Sequence, residues 1–291
     1  MKLSIVVVSF NTKELLRKCL ESIFRVEEWK TRLLASRRSG PARQGGRVEV
    51  IVVDNGSIDS SVEEIKNEKL KMKNDNVKFK IILNKENSGF ARANNQGIKI
   101  AKGEYILLLN SDTEINHGTL SNLIEFARNH PEAGVIGARL LNPDGTIQPS
   151  VYHFPSVWRA IAEYWLGQKG TYEKYALTAS DAVRIEAVTG AAMLIPRKTI
   201  EKIGLLDERY FMYFEDLDYC QRVKRAGFQV YYLPTAEIIH HHGASGAEIP
   251  TQTRQWLIRS SKIYNGIIKY WLLTFIIWLG QKWQQLLPRR F

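Results

Sequence analysis

The 291-residue chain is expected to fold as an α/β protein with a mostly parallel central sheet, helices on both faces and an amphipathic helical tail. Three observations predict this class. Short β-branched runs alternate with segments of helical period through the first hundred residues, the order of strand, helix and strand crossovers. The first of them, Leu3–Val8, is a short continuous run, the pattern of a strand covered on both faces. Polar residues follow these runs at Ser9-Phe10-Asn11, Asp54-Asn55-Gly56-Ser57 and Asn110-Ser111-Asp112, where open α/β sheets hold their ligands.

Leu3–Val8 reads as the first strand. Asn11 is placed to cap a helix whose apolar residues Leu15, Leu16, Cys19, Leu20, Ile23 and Phe24 recur at helical spacing. Val48–Val53 is the second strand and ends at Asp54; a polar helix runs from about Ser60 to Leu70, and a strand Val77–Leu83 follows. The spacing predicts a helix over Phe90–Lys102, closed by Gly103, and then a strand Tyr105–Leu109. Next come a helix Thr119–Asn129, a strand Gly134–Leu140 and the turn signal Asn142-Pro143-Asp144-Gly145. Gln148 to Ser180 is aromatic-rich and shows no firm period. A strand Ala191–Ile195 stops at Pro196, a short helix Arg197–Ile203 follows, and a helix ending at Ala226 is closed by Gly227. The strand Gln229–Leu233 leads to His240-His241-His242.

Composition narrows the function classes. Hydrophobic residues make up 44% and charged residues 24%, which are globular values. Two cysteines, Cys19 and Cys220, exclude a disulfide scaffold and a four-thiolate zinc site. Lys and Arg number 41 against 30 Asp and Glu, a net charge of +11, which permits phosphate-bearing partners. Part of that excess lies between Arg25 and Arg47, around a Gly/Pro/Ser-rich stretch. Residues 30–47 read as a flexible basic insertion, either a solvated loop or a patch for membrane phosphates or nucleic acid. Only Trp29 interleaves with these charges, so no nucleic-acid partner is expected. The opening apolar run is shorter than the roughly 7–15 residues of a secretory signal, so a cytoplasmic protein is expected.

The usual nucleotide cradles are missing from the sequence. Ser9 to Leu15 holds no glycine for a Gly-x-Gly-x-x-Gly turn, and no Gly-Lys-Ser/Thr occurs. Asp54 can accept from a base N–H or a ribose hydroxyl while Gly56 lets the backbone approach; the alternative is a plain turn before a helix. Asn87-Ser88-Gly89-Phe90-Ala91-Arg92 offers helix-start amides and a cation to a diphosphate, or is simply a cap. Asp112 ends an apolar strand and suits a hard divalent cation held against phosphates. One carboxylate makes a poor cage. On an extended strand His240 and His242 share a face and can supply a second ligand, unless the histidine run is merely exposed. Glu215-Asp216-Leu217-Asp218 sets three carboxylates among aromatics, where partial burial raises a pKa and makes a base. In a helix Glu215 and Asp218 share a side and Asp216 lies nearly opposite Asp218, so one or two of them can face a substrate. Glu215 or Asp216 also suits the helix cap.

Seven stretches carry a resemblance: Ile5-Val6-Val7-Val8-Ser9-Phe10-Asn11, Val53-Asp54-Asn55-Gly56-Ser57, Asn87-Ser88-Gly89-Phe90-Ala91, Leu109-Asn110-Ser111-Asp112, Thr189-Gly190-Ala191-Ala192, Glu215-Asp216-Leu217-Asp218 and His240-His241-His242-Gly243. In this order they resemble the inverting family 2 glycosyltransferases of the GT-A fold, in the bacterial rhamnosyltransferase-like branch. The resemblance covers about Leu3 to Ser245. It implies a nucleotide-diphosphate sugar, dTDP-rhamnose or a UDP-sugar, lying across the strand ends. Ser9, Phe10 and Asp54 are then expected to hold the pyrimidine and ribose, with Arg92 near the diphosphate. Asn11, Asn87, Gly89, Asn110, Ser111 and Gly190 complete the implied nucleotide-sugar site. Asn110-Ser111-Asp112 stands where the family carries Asp-x-Asp, with Asn replacing the first Asp. That leaves Asp112 as the main carboxylate ligand of Mg2+ or Mn2+, with His240 matching the family's third ligand. Asp216, beside Glu215, matches the base that takes the proton of the attacking acceptor hydroxyl in a single inverting displacement.

By the same resemblance residues 1–250 form the GT-A domain, with a donor half 1–115 and an acceptor and catalytic half 116–250, and residues 251–291 form the tail. Tyr270 to Gln281 carries no charge but is shorter than the ~20 residues of a membrane span. Trp256, Trp271, Trp278 and Trp283, with Lys262, Lys269, Lys282, Arg289 and Arg290, suit a helix lying in a membrane interface; packing on the core or on a second subunit is the alternative. Peripheral attachment at the inner face of the membrane is therefore expected, with a glycan or polyprenyl-diphosphate-linked acceptor. Two competing readings are a GT-A domain that binds a nucleotide sugar or glycan without catalysis, and a nucleotidyltransferase. The latter typically has a Gly-rich loop with a basic residue after strand one, which Ser9-Phe10-Asn11-Thr12-Lys13 lacks.

Overall fold

β1 (Leu3–Ser9) and β2 (Val48–Asp54) are buried at every residue, as continuous β-branched runs require. The computed structural model describes residues 2–25, 48–71, 77–241 and 250–286. α1 (Lys13–Arg25) follows β1 and buries Leu16, Cys19, Leu20 and Ile23, the apolar stripe read from its period. The basic stretch 30–47 lies outside the described residues. After β2 come α2 (Ser61–Lys71), β3 (Val77–Leu83), α3 (Phe90–Ile100) and β4 (Tyr105–Asn110). α3 ends at Ile100 rather than at Lys102, because Ala101 turns extended (φ −67°, ψ 139°). The released amides find side chains instead: Lys102 N–H donates to Glu49, and Gly103 N–H to Ser4 Oγ at 2.8 Å.

These four strands stand in the order β3-β2-β1-β4, all parallel. Their register sets Ser9 opposite Asp54 and Val8 opposite Asn110. Three polar strand ends therefore meet at one end of the sheet. Strand alternation sends Leu3, Ile5 and Val7 to one face with α1, and Val6 and Val8 to the other with Ala91 and Ala93 of α3. Helices cover both faces, as expected.

The second half adds β5 (Thr113–Ile115), α4 (Thr119–Asn129), β6 (Ala133–Leu141), β7 (Val151–Tyr152), α5 (Val157–Tyr164), β8 (Val183–Ile185), β9 (Ala187–Val188), β10 (Ala192–Pro196), α6 (Arg197–Ile203), α7 (Glu215–Arg225) and β11 (Gln229–His240). The sheet continues past β4 as β10-β6-β11-β5, with β8 on β11. β10 runs antiparallel to β4 and β6, so the parallel part gives way to a mixed one there. β7 and β9 form a separate two-stranded sheet.

Three sequence expectations change in this half. β11 does not stop at Leu233: its pairing with β6 shifts between Leu233 and Glu237, then resumes to Ile239, and the strand runs on to His240 beside β5. Pro234 sits in that irregularity, and a residue without an N–H reads locally as a strand end. The stretch without period holds α5, which Ser156 caps by accepting from Arg159 N–H at 3.2 Å. The cap of α7 is Phe214, not Glu215 or Asp216, and no side chain bonds there.

The tail forms α8 (Pro250–Asn265) and α9 (Ile267–Leu286), bent by 119° at Gly266, whose φ of 72° suits a residue without Cβ. α9 packs on α5: Trp165 Nε1 donates to Ile276 O at 3.0 Å, and Lys269 Nζ to Pro155 O at 3.0 Å. Gly280 makes room there, since a Cβ would stand 2.7 Å from Tyr164 Cβ. The core-packed alternative is thus realised along this line. Among the described residues no single helix is long and apolar enough to cross a membrane.

Candidate active site

The first wall of the site is the loop after β1 joined to the loop after β2. Asn11, with φ 51°, does not cap α1; its N–H donates to Ser57 Oγ at 3.0 Å and its Oδ1 accepts from Ile58 N–H at 2.9 Å. Thr12 precedes α1 instead, its carbonyl accepting from Leu16 N–H. A buried hydroxyl relay, Ser9 to Thr12 at 3.0 Å and Thr12 to Ser111 at 2.8 Å, ties the ends of β1 and β4. Asp54 Oδ2 accepts from Gly56 and Ser57 N–H at 3.2 and 3.1 Å. Its Oδ1 is buried with no hydrogen-bond partner among the described residues. An acceptor in that state suits a ligand N–H or hydroxyl. Phe10 is half-buried on the same loop.

Asn55, fully buried, organises the next loop. Its Oδ1 accepts from Asn84 Nδ2, Ser88 N–H and Ser88 Oγ, and its Nδ2 donates to Asn87 Oδ1 at 2.8 Å. Asn87 in turn accepts from Gly89 N–H at 3.0 Å. Gly89 has φ 89°, and a Cβ there would stand 2.7 Å from Phe211 O. Asn87 and Gly89 thus shape the start of α3. Arg92 is placed apart from them: its side chain is 63% exposed and its Nε lies 4.0 Å from Glu208.

β11 pairing with β5 sets His240 opposite Thr113, beside Asp112. His240 Nε2 lies 3.3 Å from Asp112 Oδ1, both side chains buried. Gln148, also buried, fixes the imidazole: its Oε1 is 2.6 Å from His240 Nδ1, and its Nε2 donates to His240 O and Asn142 Oδ1. A proton on Nδ1 turns the lone pair of Nε2 toward Asp112. His241 instead meets Glu114 at 2.9 Å, pointing away as strand alternation demands, and His242 lies outside the described residues. Asn110 Oδ1 is buried without a partner among the described residues. There, too, no group of three or more His, Cys, Asp or Glu converges on one point. The donors present, one carboxylate and one imidazole, suit a hard cation whose remaining ligands come from phosphate and water.

The acidic pair sits at the start of α7. Asn110 N–H donates to Ala191 O at 2.9 Å, and Gly190 N–H donates to Asp216 Oδ2 at 3.1 Å. Two main-chain links therefore join the end of β4 to this carboxylate. Asp216 Oδ1 accepts from Leu217 N–H at 2.8 Å. Burial pushes Asp216 above the usual aspartate value, while the N–H groups of Gly190 and Leu217, and then Lys174, draw it back. Burial, then Asp216 beside it, holds Glu215 well above the usual glutamate range. Two acids this close titrate as a pair, the proton of one raising the readiness of the other to ionise. Asp218 leaves the group and binds Arg222 Nε at 2.8 Å. The pair that shares the site is Glu215 and Asp216, not Glu215 and Asp218.

Sequence reasoning did not single out Gln148, Tyr152 or Lys174. Tyr152 is a half-buried residue near both acids, which raise its hydroxyl further after desolvation does, and Lys174 is a half-buried cation beside Asp216 whose own pKa burial lowers. All three come from the stretch without period, where no signal marks them.

A family model described as Glycosyl transferase family 2 matches residues 4–204. The N-acetylglucosaminyl-diphospho-decaprenol L-rhamnosyltransferase of Mycobacterium tuberculosis is 28% identical over 214 residues, 70% of this chain and 69% of that protein. Rhamnosyltransferase WbbL of Escherichia coli is 26% identical over 184 residues, 60% of this chain and 69% of its own. In fold the chain is similar to the mannosyltransferase PcManGT of Pyrobaculum calidifontis, solved with GDP-Man and Mn2+, with a TM-score of 0.58 at 15% identity, covering 98% of this chain and 70% of that one. The sheet that joins these strand ends is that of the GT-A glycosyltransferases. The chain belongs to glycosyl transferase family 2, and is a transferase of its rhamnosyltransferase-like branch.

Proposed function

We propose that this protein is an inverting glycosyltransferase of cell-surface polysaccharide synthesis. It moves rhamnose or another hexose from a dTDP- or UDP-linked donor to a glycan or polyprenyl-diphosphate-linked acceptor. One observation carries the reading: the open acceptor of Asp54, the Asp112–His240 pair and the buried Glu215–Asp216 pair are linked around the ends of β1, β2 and β4. The names of the relatives support the sugar and the lipid-linked acceptor.

Asp54 and Ser9 hold base and ribose, with Phe10 and Asn11 on the same loop. Asn110, Ser111 and Gly190 border the sugar. Asp216 takes the proton from the acceptor hydroxyl at one of its carboxylate oxygens, and its hydrogen bonds to Gly190 and Leu217 keep that carboxylate aimed. Gly190 has room beside it, since a Cβ there would meet Phe90 at 3.4 Å and Asp216 Cβ at 3.7 Å. Asp112 and His240 would hold Mg2+ or Mn2+. Such an ion offsets the charge that builds on the leaving diphosphate. Arg92 reaches a diphosphate only by leaving Glu208.

Attachment to the inner leaflet is part of the same reading. Ile268, Trp271, Phe275 and Trp278 recur along one side of α9 and are exposed, and Trp158 of α5, the helix on which α9 packs, is 79% exposed. Lys262 lies over the rings of Tyr270 and Trp271, so a cation accompanies the indoles.

A panel of dTDP-, UDP- and GDP-sugars, with and without Mn2+, tests the donor by thermal shift and by transfer to a polyprenyl-diphosphate glycan. One donor class should raise Tm in a metal-dependent way and be turned over. Stabilisation by none of them refutes the reading. For attachment, flotation with anionic vesicles at low salt should carry the protein upward; protein left at the bottom refutes it.

A further inference from the structure

α8 carries three residues spaced four apart, Trp256, Ser260 and Tyr264, and all three hold one short segment. The ring of Trp256 lies on Phe211 with centroids 4.6 Å apart. The buried hydroxyl of Ser260 donates to Met212 O at 2.7 Å. The ring of Tyr264 lies on Phe214 at 5.3 Å. Residues at i, i+4 and i+8 share one helix face, so α8 presents a single edge to this strap.

The strap ends where the acidic pair begins. Its last two residues, Tyr213 and Phe214, both have φ 69°, a left-handed conformation that is strained for a non-glycine residue and persists only when its surroundings enforce it. At its other end Phe211 O accepts from Phe90 N–H at 2.6 Å, at the first residue of α3. One edge of α8 therefore holds a strap that touches the donor-side helix and leads into Asp216. No side chain caps α7, so the strap's own backbone fixes where that helix starts.

We infer that Trp256, Ser260 and Tyr264 are positioning residues for the transfer reaction: they hold Phe211–Phe214 in the backbone that aims Asp216 at Gly190. The inference rests on Asp216 as the base. It gives the tail a task in the chemistry apart from any membrane it meets.

The test uses the full chain with Tyr264→Leu, Ser260→Ala and the conservative Tyr264→Phe. Tyr264 Oη has no hydrogen-bond partner among the described residues, so Phe keeps the ring contact. Two readouts are taken: kcat at saturating donor and acceptor, and amide exchange in the first turn of α7, where Asp218 N–H bonds to Phe214 O. Expected are a ten- to hundredfold fall in kcat for Tyr264→Leu, of the order that a small misplacement causes, and faster exchange confined to Glu215–Asp218. A smaller fall for Ser260→Ala and near wild-type behaviour for Tyr264→Phe should accompany them, with vesicle binding unchanged throughout. Wild-type kcat and exchange in Tyr264→Leu would overturn the inference, as would a loss that Tyr264→Phe shares in full. Should Tyr264→Leu not fold, Ser260→Ala decides by the same two readouts. A wild-type protein that transfers no sugar sinks the reaction itself, whereas the exchange measurement still reports whether α8 holds the strap.

Discussion

Replacing Asp216 by Asn separates the charge of this side chain from its shape. Each carboxylate oxygen accepts one main-chain N–H, Oδ2 from Gly190 and Oδ1 from Leu217. An amide keeps one of these bonds and turns its own NH2 toward the other, leaving a buried donor unmatched at about 1–3 kcal/mol. Against that, a carboxylate that burial penalises becomes neutral. The two effects oppose each other, so the variant should stay folded, with Tm within several degrees of the wild type. The loss in kcat is set by the missing base, roughly 10²–10⁴-fold, which corresponds to about 2.7–5.4 kcal/mol in the barrier. Release of nucleoside diphosphate under saturating donor and acceptor measures it, alongside donor Kd and thermal unfolding. An Asn variant that turns over at the wild-type rate would refute the assignment. So would a loss of rate fully explained by lost donor binding.

Three further outcomes follow from the same site. Activity requires Asp216 ionised, so kcat should fall as pH drops through its raised pKa. Lys174→Met removes a charge that lowers that pKa and should move the acid limb of the kcat profile to higher pH; the groups facing Asp216 include Glu215, Tyr152 and Lys174, and an unmoved limb would exclude the lysine from the site. Glu215 has a folded-state pKa above its unfolded value, so its contribution to stability is whole below the ordinary glutamate range and is lost as pH rises through the raised value. Glu215→Gln should therefore gain Tm over the wild type at pH 8 and lose that advantage near pH 4, as thermal melts across pH would show. Gln148→Leu frees the His240 imidazole and should weaken Mn2+ binding in the presence of nucleoside diphosphate by about 10–100-fold. Titration followed by electron paramagnetic resonance reads this directly, and unchanged affinity would remove His240 from the ligand set.

Much of the frame is local chemistry and was legible in the chain. β1, β2 and β4 are continuous β-branched or leucine runs, and α1 shows its buried stripe at three- and four-residue spacing. The polar residues after those strands could be named from position alone, because parallel strands align their ends. Local signals failed where a partner far along the chain decided the outcome. Asn11 looked like a cap and bonds the loop after β2 instead. The 4.0 Å approach of Arg92 Nε to Glu208 likewise joins residues far apart in the chain, and no local signal shows it.

By itself, then, the sequence determined a wound sheet with polar strand ends, the order of its motifs and the acids available to them, since apolar period and β-branching act over a few residues. Tertiary structure alone decided that β11 continues past Pro234 to pair with β5 and bring His240 against Asp112. It also decided that Gln148 and Lys174 belong to the site, and that one edge of α8 holds the strap before Asp216. Those contacts join segments with no shared period, and their stability comes from burial and hydrogen bonds that exist only once the chain has closed on itself.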